Sequence, residues 1–435
     1  MAETADAVVI GAGVIGAAVA HELAKRGLRT VSVDRNAEPG HGSTAGSCAI
    51  VRVHYSTREG TALAWEGYHD WLGWADWLEA PAGEDLARFV ETGCLVMQTE
   101  ANGHLARHMA ISRELGIPFE EWDRERILAR LPIYDLSGYA PAKRLEDPGF
   151  GEPTGEGPQG AVLWPTAGYV TDPAHATRNI ADAARRRGAA FRTGSSVTGI
   201  LMHGGRAAGV RLADGSEIRA PVVVNAAGPA SRRINEMAGV TGEMGVTTRA
   251  LRQEVVHVPA PEGFDFERDG LIVSDSDIAC YCRPETGNNI LIGSEDPPCD
   301  PHHWVEDDTG WDRDFTGQWR TQALRYAQRV PSLGIPSRMR GVVELYDVSD
   351  DWIPIYDRSA LPGFYMACGT SGNQFKTAPA VGKMMAALIA HCEGGGDHDA
   401  EPFRFRLPHT GRALDVGFFS RRREVNAESS FSVLG

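Results

Sequence analysis

No apolar run in this 435-residue chain reaches the ~18 residues that a membrane-spanning helix needs. A basic leader is missing too: Glu3 and Asp6 precede the first apolar stretch, so no signal peptide is expected. Long basic runs are absent, and the net formal charge is −15. The short cluster Arg421-Arg422-Arg423 is followed by Glu424 and reads as a solvated face. That balance opposes binding to nucleic acid or to anionic lipid. Cysteine is sparse: seven scattered residues, odd in number, fit reduced thiols of the cytoplasm better than a disulfide framework. Cys280 and Cys282 have no second pair at metal-ligand spacing, and His302-His303 stands apart from both, so no structural zinc is expected. Internal repeats are missing. With 42% hydrophobic and 23% charged residues, the chain has the makings of a large soluble enzyme of two domains.

The most telling residues come first. The β-like run Ala7-Val8-Val9-Ile10 leads into Gly11-Ala12-Gly13-Val14-Ile15-Gly16. A helix-like stretch from Ala17 to Arg26 ends at Gly27, and the β-like Thr30-Val31-Ser32-Val33 closes on Asp34. Each part has a task in a βαβ unit that holds a dinucleotide. Gly11 permits the tight turn, Gly13 lets backbone approach a pyrophosphate, and Gly16 lets the helix pack on the strand. The helix N-terminus offers N–H groups and positive dipole to phosphates. Asp34 sits where a carboxylate accepts hydrogen bonds from a ribose. Glycines alone occur in ordinary turns; strand, turn, helix, strand and acid in this order specify a nucleotide cofactor.

Further along, Gly40–Tyr55 (GHGSTAGSCAIVRVHY) reads as a loop and short strand. A helix is expected over 56–78, its Trp65, Trp71, Trp74 and Trp77 packed in a core. The pattern is strand-like over 91–97 and helix-rich up to Leu131. Residues 147–160 are the densest in glycine and proline, a surface loop or an active-site lid. Asp172-Pro173 caps and opens a helix to about Arg187. Strand-like runs follow at 196–202, 208–211 and 222–225, the last running into Ala226-Ala227-Gly228-Pro229. Residues 246–294 alternate as β-sheet does, and 295–336 are loop-like with one helix. Phe364–Cys368, the turn Gly369–Lys376 and a helix from Ala378 to His391 form a second strand–glycine turn–helix. The expected fold is α/β, with a Rossmann-like nucleotide domain assembled from 1–90, 161–245 and 337–392. A β-sheet-rich (α+β) substrate domain takes 91–160 and 246–336, and 393–435 forms a tail.

GAGVIG with Asp34, GSTAGSCAIVR, GYVTDP, VVNAAGP and GTSGNQFKTAPAVG occur in that order. Together they resemble the FAD-dependent amine and amino-acid oxidoreductases, the D-amino-acid oxidase superfamily, over nearly the whole chain. The sarcosine oxidase and dimethylglycine dehydrogenase group, with the β-subunits of its multi-subunit members, is the most similar, and the terminal ESSFSVLG resembles it too. The resemblance implies FAD along Gly11, Gly13, Val14, Ile15 and Gly16, with Asp34 on the adenosine ribose and Arg35 beside the adenine. It brings Ser43 and Thr44 to the phosphates, Val197 to the adenine, and Ala227 and Gly228 near the nucleotide. A plain turn stays an alternative for Gly228. Gly369, Gly372, Asn373, Gln374 and Lys376 would reach the flavin ring, where Lys376 and a helix end stabilise negative charge. Arg52 and Lys376 match the pair that holds the substrate carboxylate and are the candidate catalytic residues. A structural salt bridge for Arg52 and a loop cap for Lys376 are the alternatives. Tyr281 and Tyr346 match aromatic positions lining the substrate pocket, and fit a hydrogen-bonded core equally well.

Three positions depart from the family pattern. Glu344 stands where monomeric sarcosine oxidase has a flavin-bonded cysteine, and Ile50 where dimethylglycine dehydrogenase-like enzymes have a flavin-bonded histidine, so the FAD is expected to be non-covalent. Leu291 falls where an oxygen-activating lysine is found. The implied activity is oxidation of the C–N bond of a small carboxylated secondary or tertiary amine by hydride transfer, the imine then hydrolysing. Oxygen is favoured over another electron acceptor because Lys376 keeps a cation beside the flavin. Two other readings stand: a D-amino-acid or cyclic imino-acid (proline-like) oxidase or dehydrogenase, and a flavoprotein subunit of an electron-transfer complex. The β-subunit resemblance and the tail after Glu401 motivate the second.

Overall fold

In the computed structural model, which describes residues 3–433, the scattered apolar runs meet in one six-stranded sheet. Its order is Ala190–Arg192, Thr30–Val33, Ala7–Ile10, Val222–Asn225, Phe364–Cys368 and Ile355–Arg358. The first five are parallel and the last is an antiparallel edge. Ala7–Ile10, Thr30–Val33, Val222–Asn225 and Phe364–Cys368 are buried at every position, as strands covered on both faces must be. Helices Val14–Lys25 and Ala378–Glu393 pack closely. A Cβ on Gly382 would stand 2.6 Å from the Ala18 carbonyl oxygen, so only glycine permits that approach. Asp172 caps Pro173–Arg186 by accepting from the His175 N–H at 2.8 Å, as the sequence predicts.

The second layer is a nine-stranded sheet. It runs His303–Val305, Thr248–Pro259, Asn289–Ser294, Cys280–Glu285, Ile272–Asp275, Cys94–Gln98, Gly160–Trp164 and Glu120–Asp123, with Gly341–Ser349 also paired to Thr248–Pro259. Two segments differ from the sequence expectation. Residues 161–164 of the strand Gly160–Trp164, and Gly341–Ser349, both assigned above to the nucleotide domain, hydrogen-bond in this sheet instead. The alternating burial of Gly341–Ser349 is that of a half-covered antiparallel strand, whereas the buried run Gly160–Trp164 carries no periodicity that distinguishes the two sheets. Glu120–Asp123, inside the stretch read as helix-rich, is an edge strand with Trp122 as its only buried residue, too weak a pattern to show. The helix expected over 56–78 breaks at Gly73 into Arg58–Leu72 and Trp74–Leu78. Trp71, Trp74 and Trp77 are buried in a stack, and Trp65 is half-buried.

The tail folds back on the body. Phe405, Leu407, Leu414, Val416 and Phe419 enter the main core. Leu434 and Gly435, the end of ESSFSVLG, lie outside the described residues. Arg421, read above as part of a solvated face, is fully buried; only Arg422 of the triplet has an exposed side chain. Arg421 bonds Asp357 (3.0 Å), Asp399 (2.8 Å) and Glu243 (2.7 Å), and Arg423 bonds Asp351 (2.8 Å). Sequence alone misses this because the acids come from distant segments. Removing one partner of a buried network strands the others. Arg421→Met is therefore expected to lower unfolding stability by about 3–5 kcal/mol, measured by denaturant titration; an unchanged midpoint would show that the tail contributes nothing.

Candidate active site and cofactor cleft

The cleft begins where glycines remove side chains. Gly11 has φ +104°, and a Cβ there would lie 2.2 Å from the Ala226 carbonyl oxygen. The Val14 N–H donates to Thr44 Oγ1 (3.1 Å), and a Cβ on Gly13 would stand 3.0 Å from the same oxygen. Gly13, the N-cap of helix Val14–Lys25, has no side chain to cap it, and Thr44 supplies that acceptor from another segment. Asp34 is fixed by the backbone: its two oxygens accept from the Ala12 and Asn36 N–H groups, each at 2.7 Å. Arg35 donates to Asp308 (2.5 Å), which also pairs with Arg233 (3.3 Å). Asp308 lies on the loop that carries Trp311 and Arg313, so this loop spans from the large sheet to the nucleotide unit.

Lys376 anchors the other part. The segment Arg52–Tyr55 follows the short strand Ile50–Val51, which pairs with Gly168–Val170 in a small three-stranded sheet. Lys376 Nζ donates to Tyr55 Oη (2.8 Å) and to the Asn373 carbonyl (2.6 Å). The Arg52 guanidinium lies 4.5 Å from the Tyr55 ring centroid, and His54 stacks on Trp164 at 4.1 Å. Burial pushes the Lys376 ammonium well below the ordinary lysine value, and the Arg52 charge pushes the same way. Burial also lifts Tyr55 to about 12 and Asp347 to about 7. Arg52 Nη2 donates to the Val433 carbonyl at 2.5 Å, so the tail places an acceptor oxygen on this guanidinium. Tyr281 shares a hydrogen bond with Cys48 Sγ (3.6 Å).

One continuous cavity joins the two parts. Gly11, Gly13, Val14, Ile15, Asp34, Arg35, Ser43, Thr44, Val197, Ala227 and Gly228 line it together with Gly372, Asn373, Gln374, Lys376, Arg52, Tyr281 and Tyr346. Two expected cofactor residues do not line it. Gly16 packs against strand backbone, where a Cβ would meet the Gly11 carbonyl oxygen at 2.0 Å. Gly369 turns at φ +66° and donates its N–H to Asp347 (2.6 Å). Glu344 and Ile50 line the cavity, Glu344 pairing with Arg313 (3.1 Å); Leu291 does not, nor does any residue of 147–160. The sequence reading missed His54, Cys48, Cys94, Ser274, Asp347, Trp311, Arg313 and Val433 as lining residues. Asp347 had one available signal, its place next to Tyr346. Among the described residues no group of three or more His, Cys, Asp or Glu side chains fits a metal ion, and no helix is long and apolar enough to cross a membrane.

A glycine-turned βαβ unit opening on a cleft at the carboxyl ends of a parallel sheet defines a dinucleotide-binding protein of the doubly wound class. The chain belongs to the FAD dependent oxidoreductase (DAO) family, which it matches over residues 6–388. It is 24% identical over 401 residues to 4-methylaminobutanoate oxidase (formaldehyde-forming) of Paenarthrobacter nicotinovorans, covering 90% of this chain but only 44% of that enzyme's length. Hydrogen cyanide synthase subunit HcnC of Pseudomonas aeruginosa is 24% identical over 428 residues, covering 89% of this chain and 93% of that one. Among solved structures, L-proline dehydrogenase of P. horikoshii superposes with TM-score 0.77 at 23% identity, covering 98% and 100% of the two chains. Glycine oxidase of Geobacillus kaustophilus does so with TM-score 0.74 at 22% identity, again covering 98% and 100%.

The residues present fit FAD: side-chain-free turns at Gly11 and Gly13, the N-terminus of helix Val14–Lys25 beside the Thr44 hydroxyl, and a fixed carboxylate at Asp34 share the cavity with the Lys376 turn. Gly11→Ala is expected to abolish flavin retention, because the added methyl meets backbone that has no room to yield. Gly27→Ala, also at positive φ but with nothing within 4 Å, should keep its flavin. The ratio of flavin to protein absorbance decides, and a fully loaded Gly11→Ala protein would contradict the placement.

Proposed function

We propose that this chain oxidises the C–N bond of a small carboxylated secondary or tertiary amine, with non-covalent FAD, in the cytoplasm. The observation that carries the reading is the placement of Arg52 and Lys376 on the cavity that also holds the glycine turns. Lys376 is buried with a tyrosine hydroxyl and a backbone carbonyl as its bonded partners, and Arg52 lies close enough to depress its proton affinity. A carboxylate brought against Lys376 favours its ammonium form and can also bond the Arg52 guanidinium, so anionic ligands gain what neutral ones do not. To reach Arg52 the ligand takes the place of the Val433 carbonyl. Tyr281, Tyr346 and Ile50 supply walls that exclude water around the reacting carbon. FAD, when bound, supplies the hydride acceptor. The resulting imine hydrolyses to an aldehyde or oxo acid and a smaller amine.

We read oxygen as the electron acceptor, since Lys376 is the cationic group beside the glycine turn. A second reading, a flavoprotein subunit of a larger complex, is supported by the likeness to HcnC, itself a subunit. Phe405, Leu407, Leu414, Val416 and Phe419 of the tail pack into this chain's own core, while Val425 and Phe431 are exposed.

Acid or heat should release one FAD per chain from the purified protein. Flavin that stays with the precipitate would mean a covalent bond, with Cys48, Cys94, His41 and His54 among the nucleophiles at the cavity. Arg52→Ala should raise the apparent Michaelis constant for the carboxylated amine at normal FAD content. Losing one partner of a buried charge pair costs about 2–5 kcal/mol. Unchanged affinity in a folded variant would remove the clamp. Stopped-flow mixing of the substrate-reduced protein with oxygen should show fast reoxidation with peroxide release, abolished in Lys376→Met. Slow reoxidation with fast transfer to an artificial dye would assign a dehydrogenase instead.

A further inference from the structure

Arg52 and Lys376 account for the acid end of an amino-acid substrate. The amine end arrives protonated near neutral pH, since an aliphatic ammonium holds its proton to about pH 10. It has to lose that proton first, because only a nitrogen lone pair stabilises the cation left by hydride departure.

The cavity wall next to the cations is one face of the nine-stranded sheet. Ile272 pairs in register with Cys94, Ser274 pairs with Tyr281, and all four line the cavity. Cys94 lies close enough to Arg52 and Lys376 to feel both charges, and Ser274 follows Ile272, the partner of Cys94, by two residues, about 7 Å along the same face of the strand. Its hydroxyl donates to Glu295 Oε1 at 2.6 Å, and Ser276 Oγ donates to Glu295 Oε2 at 2.9 Å. Having given its one proton to Glu295, Ser274 Oγ has lone pairs left to accept from the cavity. Glu295 is itself buried, and among the described residues it makes no ion pair. A buried carboxylate without a cation is costly to keep, and two serine bonds offset only part of that. Burial lifts it to about 7, with the two serine bonds opposing and the Asp275 charge adding. Its other titratable neighbours are the buried thiols Cys94 and Cys280, while Asp296, next in the chain, is lifted to about 6. The nearby cations are already engaged, Arg325 by Asp300 and Arg329 by Asp275 and Asp277.

We propose that Glu295, acting through Ser274, takes the proton from the bound substrate ammonium. The proposal rests on the reading above that the substrate is a carboxylated amine. The ammonium N–H bond breaks as its proton passes to Ser274 Oγ, while the serine's own proton passes to Glu295 Oε1. The carboxylate becomes a carboxylic acid, the serine is restored, and the amine is neutral. No electrons change hands in this step; the hydride leaves the adjacent carbon afterwards, for FAD.

The test mixes the FAD-loaded protein anaerobically with sarcosine, glycine, L-proline and 4-methylaminobutanoate, and follows flavin bleaching from about pH 6 to about pH 10. With the unaltered protein the second-order rate should rise through about pH 7 and then level. With Glu295→Gln it should fall roughly 10²-fold near neutral pH and recover toward pH ~10 as free amine appears. Ser274→Ala, with Glu295 intact, should give the same profile. Binding of methoxyacetate, which has the acid but no amine, should be unchanged in both variants. A loss equal at every pH, or no loss, overturns the proton-acceptor role and leaves the parent reading standing. Absence of bleaching with all four amines in the unaltered protein overturns the parent reading, and this proposal with it.

Discussion

Positive charge held inside a low-dielectric cleft is the constraint on which the rest of this structure depends. Lys376 is 3% exposed and Arg52 is 6% exposed, and they act on each other across the same cavity. Two cations so close in a buried cleft oppose each other, so the protein has to hold them rigidly. The Lys376 carbonyl accepts from Trp71 Nε1 (2.9 Å), and a Cβ on Gly67 would stand 2.3 Å from that oxygen. Helix Arg58–Leu72 therefore lies directly against the Lys376 turn. Trp71 in turn stacks with Trp74 and with Phe375. The tryptophan-rich helix thus sets the position of the cation, which connects core packing to chemistry.

Closure of the cleft depends on contacts made over long stretches of chain. Asp308 ties the loop bearing Trp311 and Arg313 to Arg35 and Arg233. The segment after Arg423 is pinned through Asp351, and its Val433 packs against the cluster of Leu251, Val348 and Trp352. Both straps line the cavity. The cover of the cavity is therefore held by ion pairs and carbonyl contacts.

Much of this was legible in the sequence because the relevant physics is local. Ala7 to Asp34 reads as a nucleotide unit since each glycine answers a backbone need within a few residues. The Asp172 cap and the strand–turn–helix ending at His391 follow for the same reason. What failed to show is non-local. Gly160–Trp164 is a buried apolar run that suits either sheet, and only its partners Cys94–Gln98 and Glu120–Asp123 decide. Arg421 looks solvated until Asp357, Asp399 and Glu243 arrive from three other segments. Gly16 and Gly369 belong to the motifs but serve packing and turn geometry. Ser274 in a strand pattern and Glu295 at the start of a loop-like stretch are ordinary residues, brought together only by pairing across Cys280–Glu285.

The central claim, that the cleft selects a carboxylate through Arg52 and Lys376, is tested most directly by comparing two ligands of one shape. Methoxyacetate and its neutral amide, methoxyacetamide, can each be titrated into the FAD-loaded protein while the flavin spectrum is followed. A charge-paired anion is worth at least about 2 kcal/mol over the neutral analogue in a buried site, or roughly 30-fold in dissociation constant. The account predicts that preference for methoxyacetate; equal affinities for acid and amide would contradict it.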